Sequence, residues 1–590
     1  MSARSALTRP APPVASTAPS PNPLHIRWLG RVAYGEALAL QHSLFSTGDD
    51  NHLLLLEHPH VFTLGARGDL DHILVDAAAI DAEIVHVDRG GDVTYHGPGQ
   101  LVGYPILTVP GRRGGGMADT AAYVHTLEQL IIEALDRLGL PGCGRVDDYP
   151  GVWVDPDGPR PRKLAAIGVR LARGRSMHGF ALNVAPDLGY FDAIVPCGIA
   201  DKAVTSLEAE GVHTTMQAVV DVIAELATAQ WGSAGAERQD VAWRVRPEDL
   251  SAFTRGEGPG QTPVVGRPQE APPERNEKEP TADSALDVPV RLKGRLAEAG
   301  VDGGMAITER KPDWMRVKAD MGPEYRRIKN VMRELDLVTV CEEAGCPNIF
   351  DCWNDGTATF MILGERCTRK CGFCLIDTRK PEPVDLDEPA RVAAAVEQMA
   401  LHYAVITMVA RDDLDDGGAR AVADTVAAVR QSNPDVKVEV LISDLKGDRD
   451  DLQAVFDARP DVLNHNVETV PRLQRAVRPS AGYARSLAVL ARAKQAGMVT
   501  KTSIILGMGE TRDEVVATMA DLAGIGVDIV TLGQYLRPTT NHVPIDRWWH
   551  PDEFAELKDA GEALGISHVE ASPLTRSSYH AKQAEAAAHT

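Results

Sequence analysis

Two textures of hydrophobic patterning divide the chain. Up to about residue 230, short apolar runs (LLLLEH, EIVHVDRG, LVGYPILTV, GVWVD and IGVRLA) follow one another at irregular spacing, and one longer stretch, 117–138, repeats its apolar residues at helical intervals. Strands gathered around a few helices predict an α+β domain. From about residue 300 the alternation is regular. ATFMILG, AVITMVA, KVEVLIS, DVLNHNV, KTSIILG, DIVTLGQYL and SHVEAS read as strands. Segments such as 391–401, with Val392, Val396 and Met399 on one face, and 483–495 read as the helices between them. About six or seven strand-helix units in series predict a parallel sheet, most simply a full or partial β/α barrel.

Between the two textures, from about Ser251 to Pro289, Pro, Gly and charge replace apolar periodicity, which predicts a linker. The expected organisation is a disordered tail over 1–22, a first domain over 23–235, a linker region over 236–300 and a second domain over 301–590, without internal repeat. Composition narrows the class. Of 590 residues, 44% are hydrophobic and 24% charged, which excludes disorder throughout. The net charge of -22, from 61 basic against 83 acidic residues, argues against a general binder of nucleic acid or anionic membrane. With neither an apolar run of about 20 residues nor an apolar leader at the start, the expected location is the cytoplasm.

Cysteine placement carries the first chemistry. Six of the eight cysteines lie between Cys341 and Cys374, a clustering that in a reducing compartment points to thiolate-metal chemistry rather than disulfides. Cys367, Cys371 and Cys374 form C-x-x-x-C-x-x-C directly after a predicted strand, where the active-site loops of a barrel begin. Three thiolates on a short loop suit three irons of a four-iron cluster, whose fourth iron stays open to the chelating amino and carboxylate groups of S-adenosylmethionine. A structural zinc would want a fourth protein ligand. Cys341, Cys346 and Cys352 make a second triplet within CEEAGCPNIFDCW.

These two motifs, with MILGERCTRKCGFC and the terminal RSSYHA, resemble lipoyl synthase, a radical S-adenosylmethionine enzyme, over about Arg310 to Ala584. The resemblance implies an α/β partial (β/α) barrel with two 4Fe-4S clusters. One is the radical cluster on Cys367, Cys371 and Cys374. The other is an auxiliary, sacrificial sulfur donor on Cys341, Cys346 and Cys352, with Ser578 as its fourth ligand. It implies insertion of two sulfurs at carbons six and eight of an octanoyl chain, with a ferredoxin- or flavodoxin-like electron donor. The family usually carries Glu where this chain has Asp351 and a small residue where it has Met408; neither change removes a ligand. The polar strand ends 411–413, 464–468, 507–510 and 534–538 are expected to collect cosubstrate contacts, with Asn466, Glu468 and Arg478 as candidates for S-adenosylmethionine.

In the first half, Cys197 sits in VPCGI, where the flanking Pro and Gly make a turn that can expose a nucleophilic thiolate; a lone Cys is otherwise a small buried hydrophobe. Lys163, in RKLAAIGV, would lower the thiol pKa and move its proton if it reached Cys197. The glycine-rich stretch 89–100 lets the backbone approach a ligand closely, and no G-K-[ST] follows to make it a nucleotide loop. RGGDVTYHGPGQ, KLAAIGV, HGFALNV and PCGI together resemble the octanoyltransferase of lipoate synthesis over about Leu24 to Thr228, whose fold is a mixed sheet shared with biotin and lipoate transferases. The resemblance implies that Cys197 receives octanoyl from acyl carrier protein as a thioester and passes it to a lipoyl-domain lysine, with Lys163 as acid and base. Arg89, Gly90, Gly91, Asp92, Val93, Thr94, Tyr95 and His96, with Ala166, Ile167, Gly168, Gly179, Phe180 and Ala181, would line the acyl tunnel. Cys143 reads as structural. Six basic residues and no acidic one between Pro159 and Ser176 form a strip expected to attract an acidic carrier.

The combined reading is a bifunctional lipoate-biosynthesis enzyme acting on lipoyl domains of 2-oxoacid dehydrogenases and the glycine cleavage H protein. Its alternatives are an ATP-dependent ligase in the first half, or one active half joined to a carrier-binding scaffold.

Overall fold

A computed structural model describes residues 22–109, 118–195, 203–243, 288–316, 321–343, 346, 348–354, 358–579 and 581–588. The expected tail, most of the expected linker and Cys197 lie outside the described residues. The chain divides into two compact units between Arg238 and Gln239.

In the first unit a mixed sheet runs in the order Leu24–Arg31, Asn51–Glu57, Gln100–Ile106, Arg175–Asn183, Arg162–Ala172, Tyr149–Val154, Gly144–Val146. The first two strands are parallel and the later pairs antiparallel. A smaller sheet joins Glu83–His86, Val61–Leu64 and Val93–His96. The helix expected over 117–138 is Thr120–Arg137, started by the Asp119 side chain, which accepts a hydrogen bond from the Ala122 amide. Its buried Tyr123, Leu127, Leu130, Ile131 and Ala134 recur on one face and pack on the main sheet.

The second unit holds seven parallel strands in sequence order: Ala358–Ile362, Tyr403–Met408, Lys437–Leu441, Val462–Asn464, Val499–Leu506, Ile529–Gln534 and His568–Ala571. Val338–Thr339 adds an antiparallel strand beside the first. Helices Glu388–Gln398, Ala419–Ser432, Arg449–Asp457, Tyr483–Gln495, Arg512–Gly524 and Pro551–Ala563 fill the crossovers. Because the strands are parallel, all their C-terminal ends lie on one edge, and the loops that follow them gather there. The span expected as linker is structured at both ends. Ala236–Asp240 is a strand, and Val290–Glu298 is a helix whose Leu292 and Leu296, one turn apart, are buried. Among the described residues no helix is long and apolar enough to cross a membrane.

Candidate active sites

Lys163 is the second residue of the strand Arg162–Ala172 and is 8% exposed. Its ammonium lies 5.0 Å from the centroid of the Trp153 ring, and its stem passes Gly151, where a Cβ would come within 3.1 Å of Cε. Beyond the undescribed residues 196–202 the chain resumes as Ala203–Val204, paired in parallel with Arg162 and Lys163, and Thr205 N–H donates to the Lys163 carbonyl at 2.9 Å. If Lys163 moves the proton in acyl transfer, Lys163→Ala is expected to slow octanoyl transfer by roughly 10²–10⁴-fold without loss of folded protein, measured as initial rate of carrier-domain acylation.

The expected tunnel residues fall into two groups. Ala166, Ile167 and Gly168 are the direct cross-strand partners of Ala181, Phe180 and Gly179. The glycines there answer close approach: a Cβ on Gly179 would lie 2.1 Å from the Gly103 carbonyl, and one on Gly168 would lie 3.1 Å from Arg89 Cδ. Arg89 is buried over this pair, donating to Thr63 O at 2.7 Å and Thr63 Oγ1 at 2.8 Å, while Gly90 N–H donates to Val169 O at 3.0 Å. The second group lies on the small sheet. Val93 and Tyr95 are packed into a cluster with Phe62 and Leu64. Thr94 and His96 alternate to the other face with Thr63. Asp92 accepts from Asp69 N–H at 3.1 Å and meets His72 Nδ1 at 2.5 Å, with Gly91 beside it at the strand entry. His96 heads a buried polar chain: its Nδ1 meets Gln100 Oε1 at 2.7 Å, Gln100 donates to Asn183 at 2.9 Å, and Asn183 donates to Thr205 O at 2.9 Å. Burial holds its imidazole down to about 3, so it is neutral. Cys143 donates to Leu140 O at 3.5 Å, its thiol pushed up to about 11 by burial.

The basic strip is a correction. Arg162 is bound to Glu210, Arg170 to Asp88, and Arg175 is buried against the Leu44 and Asp50 carbonyls. Of the six, only Arg160 and Arg173 are exposed; Glu210 and Asp88, distant in sequence, offset Arg162 and Arg170, and Lys163 and Arg175 are buried.

In the second unit a cavity of about 370 Å³ opens at the strand C-terminal edge. Both cysteine triplets reach it, through Cys367, Cys371 and Cys374 and through Cys341 and Cys346, and Ser578, Asn466, Glu468 and Arg478 line the same space. Cys352, on the helix Ile349–Asn354, lies near enough to Cys341 for its charge to act on that thiol. The loop of the second triplet is tied to the C-terminal segment by Asn348, which donates to Leu574 O at 2.6 Å. That segment passes Gly533, where a Cβ would meet the Thr575 carbonyl at 2.0 Å, and it carries the half-buried Arg576, whose charge acts on Cys346.

Glu468 is half-buried near Arg478, and loss of hydration raises its carboxyl above the usual range. Arg478 donates to Asn466 O at 2.7 Å and Ser486 Oγ at 3.1 Å. Of the four strand-end motifs expected to face a ligand, Asn464–Glu468 and Gln534–Pro538 supply residues to the cavity and two do not. Arg411 is folded back onto Asp413, and Glu510 is consumed by the Met508 amide and the Trp549 indole, each at 2.9 Å. Carboxylates next to backbone N–H groups at strand ends satisfy the loop itself before any ligand. Sequence reasoning missed Arg369, within the first cysteine motif. It is clamped by Asp412 at 2.8 Å and by the buried Asp444 at 2.6 Å. Its place between Cys367 and Cys371 was the available signal, but nothing local announces the two acceptors.

A 292-residue stretch, 50% of this chain, is 55% identical to the lipoyl synthase of Mycolicibacterium paratuberculosis and covers 93% of that relative. This chain belongs to the lipoyl synthase family. The lipoyl synthase of Mycobacterium avium is 57% identical over the same length and is likewise covered to 93%. Residues 293–346 match the N-terminal domain of lipoyl synthase of the radical SAM family, and residues 361–522 the radical SAM superfamily. Residues 33–227 match the lipoyl protein ligase A/B catalytic domain, so the chain fuses that domain to a lipoyl synthase. A bi-partite lipoate protein ligase from Thermoplasma acidophilum aligns with 37% of this chain and 86% of its own at 15% identity and a TM-score of 0.31.

The lipoyl synthase family implies four-iron clusters and S-adenosylmethionine, and the donor set fits. Burial pushes the Cys371 and Cys374 thiols up, to about 11 and about 12, so thiolates there need a cation at sulfur. Cys341 donates to Cys346 and, with Arg576 nearby, draws that thiol down to about 7. Among the described residues no three His, Cys, Asp or Glu side chains converge as a single-ion site demands. A cluster makes no such demand, since each thiolate binds a different iron. Asn466, which lines the cavity, has its Oδ1 buried without a partner among the described residues, an acceptor that an amine or hydroxyl of a ligand could meet.

Proposed function

We propose that the chain is a bifunctional, cytoplasmic lipoate-biosynthesis enzyme. Its first unit transfers octanoyl from acyl carrier protein, through a thioester on Cys197, to a lysine of lipoyl domains such as those of 2-oxoacid dehydrogenases and the glycine cleavage H protein. Its second unit, a partial β/α barrel, inserts sulfur at carbons six and eight of that octanoyl chain. The observation that carries this reading is the convergence of Cys367, Cys371 and Cys374, of Cys341 and Cys346, and of Ser578, Asn466, Glu468 and Arg478 on one cavity.

In the first unit Lys163 would take the thiol proton of Cys197 and pass it to the leaving thiolate of the carrier as the thioester forms, then take a proton from the attacking lysine amine and return it to the Cys197 sulfur as the amide forms. The Arg89 guanidinium and the glycine pair Gly168 and Gly179 would leave a narrow apolar passage for the chain. In the second unit Cys367, Cys371 and Cys374 would hold one cluster, and Cys341, Cys346, Cys352 and Ser578 the other. When bound, these clusters supply reductive cleavage of S-adenosylmethionine and the inserted sulfur, with electrons from a ferredoxin- or flavodoxin-like donor. Asn466 Oδ1 would accept from the cosubstrate, and Glu468 and Arg478, opposite in charge, would hold its amino and carboxylate ends. The apolar walls, among them Met361, Met408 and Ile505, would exclude water from the octanoyl chain.

The test is anaerobic. The reconstituted full chain is given octanoyl carrier protein, a lipoyl domain, S-adenosylmethionine and a reductant, and the domain is followed by mass spectrometry. Octanoylation followed by conversion to lipoyl is expected, with Cys197→Ala abolishing the first step while a pre-octanoylated domain is still converted. Octanoylation without conversion, in protein carrying its full iron, would sink the assignment of the second unit.

A further inference from the structure

Arg369 is the middle one of the three residues that separate Cys367 from Cys371, and it is 8% exposed. Its Nε and Nη2 donate to the two Asp412 oxygens at 2.8 Å each, and Nη2 also donates to Oδ1 of the fully buried Asp444 at 2.6 Å. These residues stand on three successive loops. Arg369 follows the strand Ala358–Ile362, Asp412 follows Tyr403–Met408, and Asp444 follows Lys437–Leu441. One guanidinium thus ties together three neighbouring loops at the strand C-terminal edge. Thr368 strengthens the tie: its N–H and Oγ1 both donate to Ala410 O at 2.9 Å, and Asp412 N–H donates to Thr368 Oγ1 at 3.0 Å. Lys370, the third spacer residue, is exposed. The Arg369 N–H itself donates to Cys367 Sγ at 3.4 Å, so the backbone that the guanidinium pins is the backbone that meets a proposed iron ligand. The other Asp444 oxygen lies 4.0 Å from Arg485 Nη1, so two cations offset two carboxylates and the group brings no net charge to the loop. Its effect there is geometric.

We propose that Arg369 is a positioning residue, whose fork to Asp412 and Asp444 orders the loop of Cys367 and Cys371 before iron arrives. This rests on the reading that Cys367, Cys371 and Cys374 hold a four-iron cluster. A loose loop would have to lose its backbone freedom as the cluster binds, which weakens binding; a loop pinned at folding has already lost it. The planar guanidinium fixes two acceptors in one orientation, whereas an ammonium carries the same charge without that geometry. Arg369 acts through the two cysteines that flank it, and it leaves cosubstrate contacts to Asn466, Glu468 and Arg478.

The experiment uses the full-length chain with Cys341, Cys346 and Cys352 replaced by alanine, so that iron loss reports one cluster. In Arg369→Lys, which keeps the charge and loses the fork, the chelator concentration that strips half the iron under anaerobic conditions is expected to fall roughly 10–100-fold. In the metal-free chain, amide hydrogen exchange across 367–374 should rise about tenfold, while the strands Tyr403–Met408 and Lys437–Leu441 keep theirs within about twofold. Asp412→Ala, at a side chain 33% exposed, breaks the fork while Asp444 still pairs Arg369, so it decides the matter if Arg369→Lys does not fold. It should show both changes in smaller degree, and added to Arg369→Lys it should cost less than it does alone. Unchanged iron retention overturns the proposal. So does faster exchange spread evenly through the second unit, which would make Arg369 a support of the fold at large. Failure of the Arg369 protein itself to retain about four irons would overturn the cluster reading first.

Discussion

Cys371→Ala is expected to lower the iron of the reconstituted chain from about eight to about four per polypeptide and to abolish sulfur insertion, while octanoyl transfer continues unchanged. Cys371 lies on a loop whose backbone is held on both sides. Cys367 N–H donates to Asp377 O at 2.8 Å, and Gly372 N–H to Val477 O at 2.7 Å. Burial makes the Cys371 and Cys374 thiols reluctant anions, so metal binding must supply the free energy of their deprotonation. Two remaining thiolates would not retain the cluster. Cys346→Ala should lose the same amount of iron yet keep reductive cleavage of S-adenosylmethionine, because the first triplet is untouched. Iron and sulfide assays with mass spectrometry of nucleoside and carrier products check both variants. Retention of all the iron in Cys371→Ala would refute the ligand assignment.

The second large effect concerns stability. Lys501 and Glu439 face each other at 3.1 Å with both side chains fully buried, and Tyr403 OH and Asn464 Nδ2 donate to the same carboxylate at 2.9 Å each. The pair lies on the sheet face that carries the cavity-lining Thr407, Leu441 and Ser503, two residues further along each strand. Lys501→Met removes the cation and leaves a carboxylate with nowhere to place its charge. The expected loss is about 3–5 kcal/mol, read from the unfolding transition of the second unit. Glu439→Leu should cost a similar amount. The double substitution should cost clearly less than the sum of the two, since no unpaired charge remains. Additive losses would show that the pair is not coupled.

Much of this protein is legible without a structure. Helical spacing placed the helix Tyr483–Gln495 at its observed ends, and each of the seven apolar runs of the second half is a parallel strand. The cysteine spacing of the first motif put three sulfurs on a loop after the strand Ala358–Ile362, where the parallel topology gathers its loops. Period and spacing are local properties, and local properties survive in a one-dimensional record. What failed was judgement about charge. The strip from Pro159 to Ser176 reads as a cationic face, but Glu210 and Asp88 neutralise Arg162 and Arg170, and Arg411–Asp413 and Gly507–Glu510 spend polar atoms on themselves.

The sequence by itself determined the division into two textures, the elements of each, and the identity of the thiols. Only the tertiary structure decided that Ser578 faces the cavity of Cys341 and Cys346 from more than two hundred residues away, and that Gly168 and Gly179 meet across two strands. It alone shows Arg369 held between Asp412 and Asp444. The reason is physical. Secondary structure follows from the conformational and burial preferences of neighbours in the chain, whereas pairing of charges and convergence of ligands depend on distances set by packing, which sequence separation does not encode.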